Sequence, residues 1–198
     1  SLGTGHLSVY QLTIEPGTRF AALAAAGQLA TLDIDEAAAL YELTTEITDA
    51  AGLPAYEISN HARPGEESRH NLTYWRYGDY AGVGPGAHGR RLGQRTMRHR
   101  KPENFLSALH RNGHAIAEEA PLSAVEAADE GLVMGLRLAE GIDADAIAER
   151  FGLPSIVDWS AIDRLVRSGH LAREGGLIRT TQAGRILLDH ILGEIAAA

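Results

Sequence analysis

The chain has 198 residues, 44% of them apolar, no cysteine and a formal net charge of −8. This composition belongs to a globular protein of one large or two small domains, and it excludes disulfides, thiolate metal sites and thiol nucleophiles among these residues. No apolar run approaches the ~20 residues that span a bilayer, and the first residues lack the basic-then-apolar layout of a signal peptide, so a cytoplasmic protein without a transmembrane segment is expected.

Residues 6–14 (HLSVYQLTI) alternate and are β-branched, which predicts a strand. The strand signal begins almost at residue 1, as in the continuation of a longer chain. Glu15-Pro16-Gly17 turns, and Thr18 caps an Ala-rich helix to about Ala26, ended by Gly27. Asp33 and Glu36 have capping-box spacing and open a helix with Leu40, Leu43, Ile47 and Ala50 on one face. Gly52-Leu53-Pro54 stops it before a short strand-like segment at 55–59. Strand, helix, helix, strand predicts α/β architecture with parallel strands. Residues 90–121 read as a connecting segment with a helix near 103–111. From about Leu122, helices are expected from Ser123 (a capping box with Glu126), over 144–151 and over 156–167. A hairpin of 171–173 with 177–179 about Glu174-Gly175-Gly176 follows, then a helix over 182–195. That order predicts a mainly helical, winged-helix-like C-terminal domain.

Charge is segregated along the chain. Residues 1–59 carry one basic and eight acidic side chains, whereas residues 60–111 carry ten Lys/Arg against four acids. Five of the nine histidines lie in the basic block, whose local field favours an anionic ligand over an otherwise acidic protein. Within it, residues 68–89 (SRHNLTYWRYGDYAGVGPGAHG) combine two His, three Tyr, a Trp and a glycine-rich turn with neither helical nor strand period. The imidazole of His70 suits haem iron as an axial ligand, and Tyr74 and Trp75 suit a porphyrin face. Arg63, Arg69, Arg76, Arg90 and Arg91 suit the propionate carboxylates. The alternative is an aromatic loop in which His70 and Asn71 satisfy backbone groups. The turn from Gly82 to Gly89 lacks a Walker A pattern; it serves either close backbone approach to an anionic or adenosyl ligand or a tight passage of chain. No zinc-hydrolase spacing of His and carboxylates occurs. Residues 123–198 hold seven basic against twelve acidic side chains, which argues against a winged-helix regulator that reads nucleic acid.

The segments HLSVYQLTIEPGTRF, AGLPAYEISNHARPGEESRHNLTYWRYGDYAGVGPGAHG and LIRTTQAGRILLDHIL resemble the oxygen-independent coproporphyrinogen III oxidase-like family of radical SAM proteins over essentially the whole chain. The H-N-x-x-Y-W element is similar to that of the family's haem-chaperone (HemW) branch. The resemblance implies that residues 1–113 are the C-terminal part of a (β/α) barrel and residues 114–198 the family's C-terminal domain: an α/β partial barrel fragment followed by a mainly helical winged-helix-like domain. It implies haem binding at His70, Asn71, Tyr74 and Trp75, with His70 on the iron, and S-adenosylmethionine contacts at Thr13 and His88. It further implies a [4Fe–4S] cluster and S-adenosylmethionine in a full-length parent, delivery of haem to receiving proteins, and, as the alternative activity, oxidative decarboxylation of coproporphyrinogen III. The family's CxxxCxxC loop has no counterpart here, so this chain by itself is expected to be inactive in radical chemistry.

Overall fold

The alternating segment at the start forms only a short strand, β1 (His6–Ser8), in the computed structural model, which describes residues 3–196. Two helices follow, α1 (Arg19–Ala25) and α2 (Ile34–Ala50), each started as its cap residue predicts: Thr18 Oγ1 accepts from Ala21 N, and Asp33 Oδ1 from Glu36 N. The strand β2 (Asn60–Ala62) then pairs with β1, registering Leu7 opposite His61. Contacts cluster into two units, one ending at Glu67 and the other starting at Ser68.

In the first unit the pairing is antiparallel, not parallel as the element order predicts. The reason lies in residues 55–62. The strand-like stretch at 55–59 is only the outgoing leg of a turn, with Ala55 bridged to His61 and Tyr56 N donating to Asn60 O. The fully buried Glu57 holds that turn, its Oε1 accepting from Ser59 N and from the Asn60 side-chain amide. The return leg, running the opposite way, is the one that meets β1. Helix α2 also differs from expectation. It buries Thr45 and Thr48, the latter bonded to His61 Nδ1 at 2.9 Å, while Leu40, Leu43 and Ile47 are each about half exposed.

The second unit opens with α3 (Arg69–Trp75) and a three-stranded antiparallel meander, β3 (His88–Arg91), β4 (Gln94–Arg98) and β5 (Ile116–Pro121), with α4 (Pro102–Asn112) between the last two. Leu92 and Gly93 join β3 to β4 with φ of 51° and 74°, a two-residue loop whose backbone twist suits a hairpin. The connecting segment expected over 90–121 is therefore a sheet. Its strands carry charge on both faces, Arg90 and Arg91, Arg95 and Arg98, Glu118 and Glu119, so no apolar alternation announces them.

Beyond Leu122 the expected order holds. Helices α5 (Ala124–Gly135), α6 (Ala144–Phe151) and α7 (Trp159–Arg167) are accompanied by the short strand β6 (Ile142–Asp143) and the hairpin β7 (Leu171–Glu174) with β8 (Leu177–Thr180). The strand order is β6-β8-β7. Ser123 and Glu126 form the full capping box on α5. The expected last helix is two, α8 (Gln182–Ile186) and α9 (Leu188–Ile195), broken at Leu187. Leu132, Leu136, Leu138, Ile162, Ile178, Ile191 and Ile195 are fully buried, each worth about 1.5–3 kcal/mol on removal from water, and they make this the apolar centre of the unit. Among the described residues every strand pairing is antiparallel, and no helix is long and apolar enough to cross a membrane.

Candidate functional site

The segment that shows no period in sequence, residues 68–77, is a two-turn helix with defined ends. Ser68 Oγ accepts from Asn71 N and starts α3. Tyr77, at φ 57°, ends it, and Gly78 N donates to Thr73 O at 2.7 Å. A Cβ on Gly78 would lie 2.8 Å from that same oxygen, so the tight exit requires glycine.

This helix brings together the four residues expected to hold haem. His70 and Tyr74, one turn apart, meet ring to ring at 5.5 Å and 73°. Tyr74 in turn lies 4.6 Å from Trp75 and 5.8 Å from Tyr80. His70 is exposed, and its imidazole makes no hydrogen bond to any described residue. The segment is a helix and not the aromatic loop of the alternative, and the imidazole of His70 satisfies no backbone group among the described residues. Trp75 stands under the guanidinium of Arg137, 4.7 Å from its ring, and its indole N–H is buried without an acceptor among the described residues.

The arginines of the basic block divide by role. Arg76 is bound bidentately by Glu140, at 2.6 and 2.7 Å, which ties the end of α3 to the turn after α5. Arg63 lies 3.9 Å from Glu66 and Arg91 3.8 Å from Glu119. Arg69, next to His70, is exposed without an ion pair among the described residues. Arg90 is buried beneath α5: its Nη2 donates to Glu130 Oε2 at 2.8 Å, and the guanidinium carbon stacks 3.7 Å from the Tyr77 ring. Tyr77 also donates its hydroxyl to Glu130 Oε2. Burial pushes the Tyr77 phenol up to about 12; Arg90 opposes the shift and Glu130 adds to it.

The glycine turn serves close passage of backbone. A Cβ on Gly82 would meet His88 O at 2.2 Å, and one on Gly89 would meet Gly82 N at 2.9 Å. Two of its N–H groups are already used, Gly86 N on His99 O and Ala87 N on Gly84 O. His88 opens β3 and lines a cavity of about 360 Å³ between the sheet and α5, with Tyr80, Arg90, Arg95, Met97 and Glu130. Thr13 lies exposed in the first unit, five residues past β1.

The residues present fit a haem at α3: an accessible imidazole with free nitrogens, aromatic rings beside it and the unpaired cation of Arg69 one residue away. They do not fit an iron–sulfur cluster, since the chain contains no cysteine to supply thiolates. Among the described residues no group of three His, Asp or Glu stands at metal-binding spacing either. Sequence reasoning missed Glu130, Arg137 and Glu140, which fix Arg90, Trp75 and Arg76; they lie 40 or more residues from their partners, and nothing local marks them.

Residues 122–187 match the HemN C-terminal domain family. Radical S-adenosyl methionine domain-containing protein 1 of Mus musculus, described as mitochondrial, is 35% identical over 201 residues, which cover 94% of this chain and 45% of the mouse protein. Heme chaperone HemW of Bacillus subtilis is 32% identical over 195 residues, covering 98% of this chain and 51% of that protein. HemW of Escherichia coli is 32% identical, covering 96% and 50%. Among solved structures, coproporphyrinogen III oxidase (HemN) from Escherichia coli, described as a radical SAM enzyme, matches with a TM-score of 0.70 at 15% identity, covering 96% of this chain and 47% of that one. At that identity the likeness is one of fold. The chain thus spans about half the length of the relatives it matches. In sequence and in fold it belongs to the coproporphyrinogen III oxidase-like family of radical SAM proteins that includes the HemW heme chaperones, and it represents that family's C-terminal part.

Proposed function

We propose that this chain is the haem-holding portion of a HemW-like haem chaperone, with His70 as the iron ligand. The observation that carries the reading is the exposed, unbonded imidazole of His70, stacked edgewise with Tyr74 on a helix anchored at both ends. A neutral imidazole offers one nitrogen lone pair to iron, which is the chemistry an axial ligand supplies. Tyr74 fixes the ring's orientation, Arg69 offers a guanidinium to a propionate, and the exposed setting leaves the bound group open to a receiving protein. The relatives above 30% identity that are named heme chaperones support this reading over oxidative decarboxylation, for which the oxidase supplies a likeness of fold alone.

The rest of the reading rests on the same kinship. Residues 1–113 are taken as part of a (β/α) barrel and residues 114–198 as a winged-helix-like domain. The [4Fe–4S] cluster, the S-adenosylmethionine that Thr13 and His88 would contact, and the haem acceptor belong to the longer protein. A cytoplasmic setting, expected from the sequence, is part of the proposal; the mouse relative is mitochondrial.

Haem titrated into the wild-type chain, His70→Ala and His110→Ala tests the ligand assignment, since His110 is exposed in equally basic surroundings but lies on α4. The Soret band of a histidine-ligated haem is expected in the wild type and in His110→Ala and absent from His70→Ala. Equal titrations of all three overturn the assignment.

A further inference from the structure

Two arginines pair with glutamates across the second unit, and they are used unequally. Arg76, half exposed, is engaged through both Nε and Nη2 by the two oxygens of Glu140. Arg90 has a side chain only 6% exposed, yet it meets Glu130 through Nη2 alone, leaving Nε and Nη1 buried without a partner. The Tyr77 ring covers the face of the guanidinium, but the N–H groups point outward in its plane, where a stacked ring accepts nothing. A buried donor left unpaired is costly where an exposed one is not, yet it is the exposed pair that is complete and the buried pair that is not.

The position of Arg90 says what would complete it. The meander register sets two rows across the strands, His88–Met97–Glu118 and Arg90–Arg95–Ala120. Five of these side chains line the 360 Å³ cavity, with Glu130 and Met134 of α5 as its opposite wall. A second cavity of about 270 Å³, lined by Arg91, Arg98 and Tyr80, also reaches Arg90. From His70 the rings run in steps to this place: Tyr74 at 5.5 Å, Tyr80 a further 5.8 Å on, and the Arg90 guanidinium 5.8 Å beyond Tyr80. Glu130 is one-third exposed and holds its place by one oxygen, shared between Arg90 and the Tyr77 hydroxyl.

We infer that Arg90 is a carboxylate seat, that it receives a propionate arm of the haem ligated by His70, and that Glu130 occupies the seat when the ligand is absent. The inference rests on the haem reading above and adds to it a specificity residue and a competing internal carboxylate. A ligand carboxylate gains a bidentate, charge-assisted contact that Glu130 leaves half made, and Glu130 turns outward to solvent. The bound group is thereby selected by its acid arms as well as by its iron.

Arg90→Met strips a buried guanidinium from its cage and risks the fold, so Glu130→Gln carries the test: it keeps the shape of the side chain and removes its charge. Haem and haem dimethyl ester are titrated into the wild type, Glu130→Gln and His70→Ala, following the Soret band. The wild type is expected to bind the diacid about tenfold more tightly than the ester, and Glu130→Gln to bind the diacid about tenfold more tightly again with no gain for the ester. Equal affinity for diacid and ester, or no gain in Glu130→Gln, overturns the seat. If His70→Ala still loses the band in that case, the haem reading stands without it. A wild type with no His70-dependent band removes both.

Discussion

Tyr77 shows how much of the site's geometry one residue carries. Its left-handed backbone ends α3, its ring supports Arg90, and its hydroxyl reaches Glu130. Because burial raises its phenol from 10.0 to about 12, the folded chain holds that proton more tightly than the unfolded chain does. Tyr77 therefore adds stability that is fully present below pH 10 and is lost as pH rises from about 10 to about 12, when the unfolded state releases the proton first. In a spectrophotometric titration Tyr77 should ionise near pH 12, and Tyr77→Phe should remove a tyrosine step there. Loss of an ordinary step near pH 10 would contradict the buried hydroxyl.

At the scale of elements, the sequence is legible where local chemistry decides and opaque where distant partners do. Thr18, Asp33 and Ser123 announce three helix starts because a cap needs only residues three positions apart. The hairpin about Gly175-Gly176 is equally local. Helix α3 escapes because its residues are chosen for what they present and not for an apolar stripe, and only Ser68 marks it. The meander escapes because its strands bear arginine and glutamate. The reversal at Glu57 escapes because a buried carboxylate folds the chain back where composition suggests a single strand. Of the candidate site, the helix residues were readable as a motif, but the clamps from Arg137, Glu140 and Glu130 were not. The glycine turn provides a quantitative test of element packing. Gly82→Ala should destabilise the chain by about 2–4 kcal/mol, since its Cβ collides with backbone. Gly93→Ala, strained only by its φ of 74° and open in space, should cost about 1 kcal/mol. Urea denaturation separates the two, and equal costs would contradict the close passage.

Over the whole molecule, charge and apolar surface are distributed unevenly. The basic block, residues 60–111, has most of its arginines in α3 and the meander, while residues 123–198 are acidic by five charges. That region should not retard duplex DNA at about 0.15 M salt, because its like charge opposes the phosphate contacts that supply non-specific binding. A salt-dependent gel shift would contradict this. In the first unit, Ile34, Leu40, Leu43 and Ile47 lie exposed along α2, and Leu40 also lines a groove of about 600 Å³ with Leu12, Leu32 and Tyr41. Leu43→Gln should therefore change the unfolding free energy by no more than about 0.5 kcal/mol while lowering the binding of an apolar dye, whereas a buried leucine such as Leu136 would cost several times more on truncation.

The central claim is that one nitrogen of His70 binds iron. His70→Gly removes the ligand and leaves room for it on an exposed helix face, so free imidazole can take its place. The account predicts that this variant gives no histidine-type Soret band with haem, and that millimolar imidazole restores the wild-type spectrum with haem retained on the protein through gel filtration. A His70→Gly variant whose haem spectrum already matches the wild type without imidazole would contradict the claim.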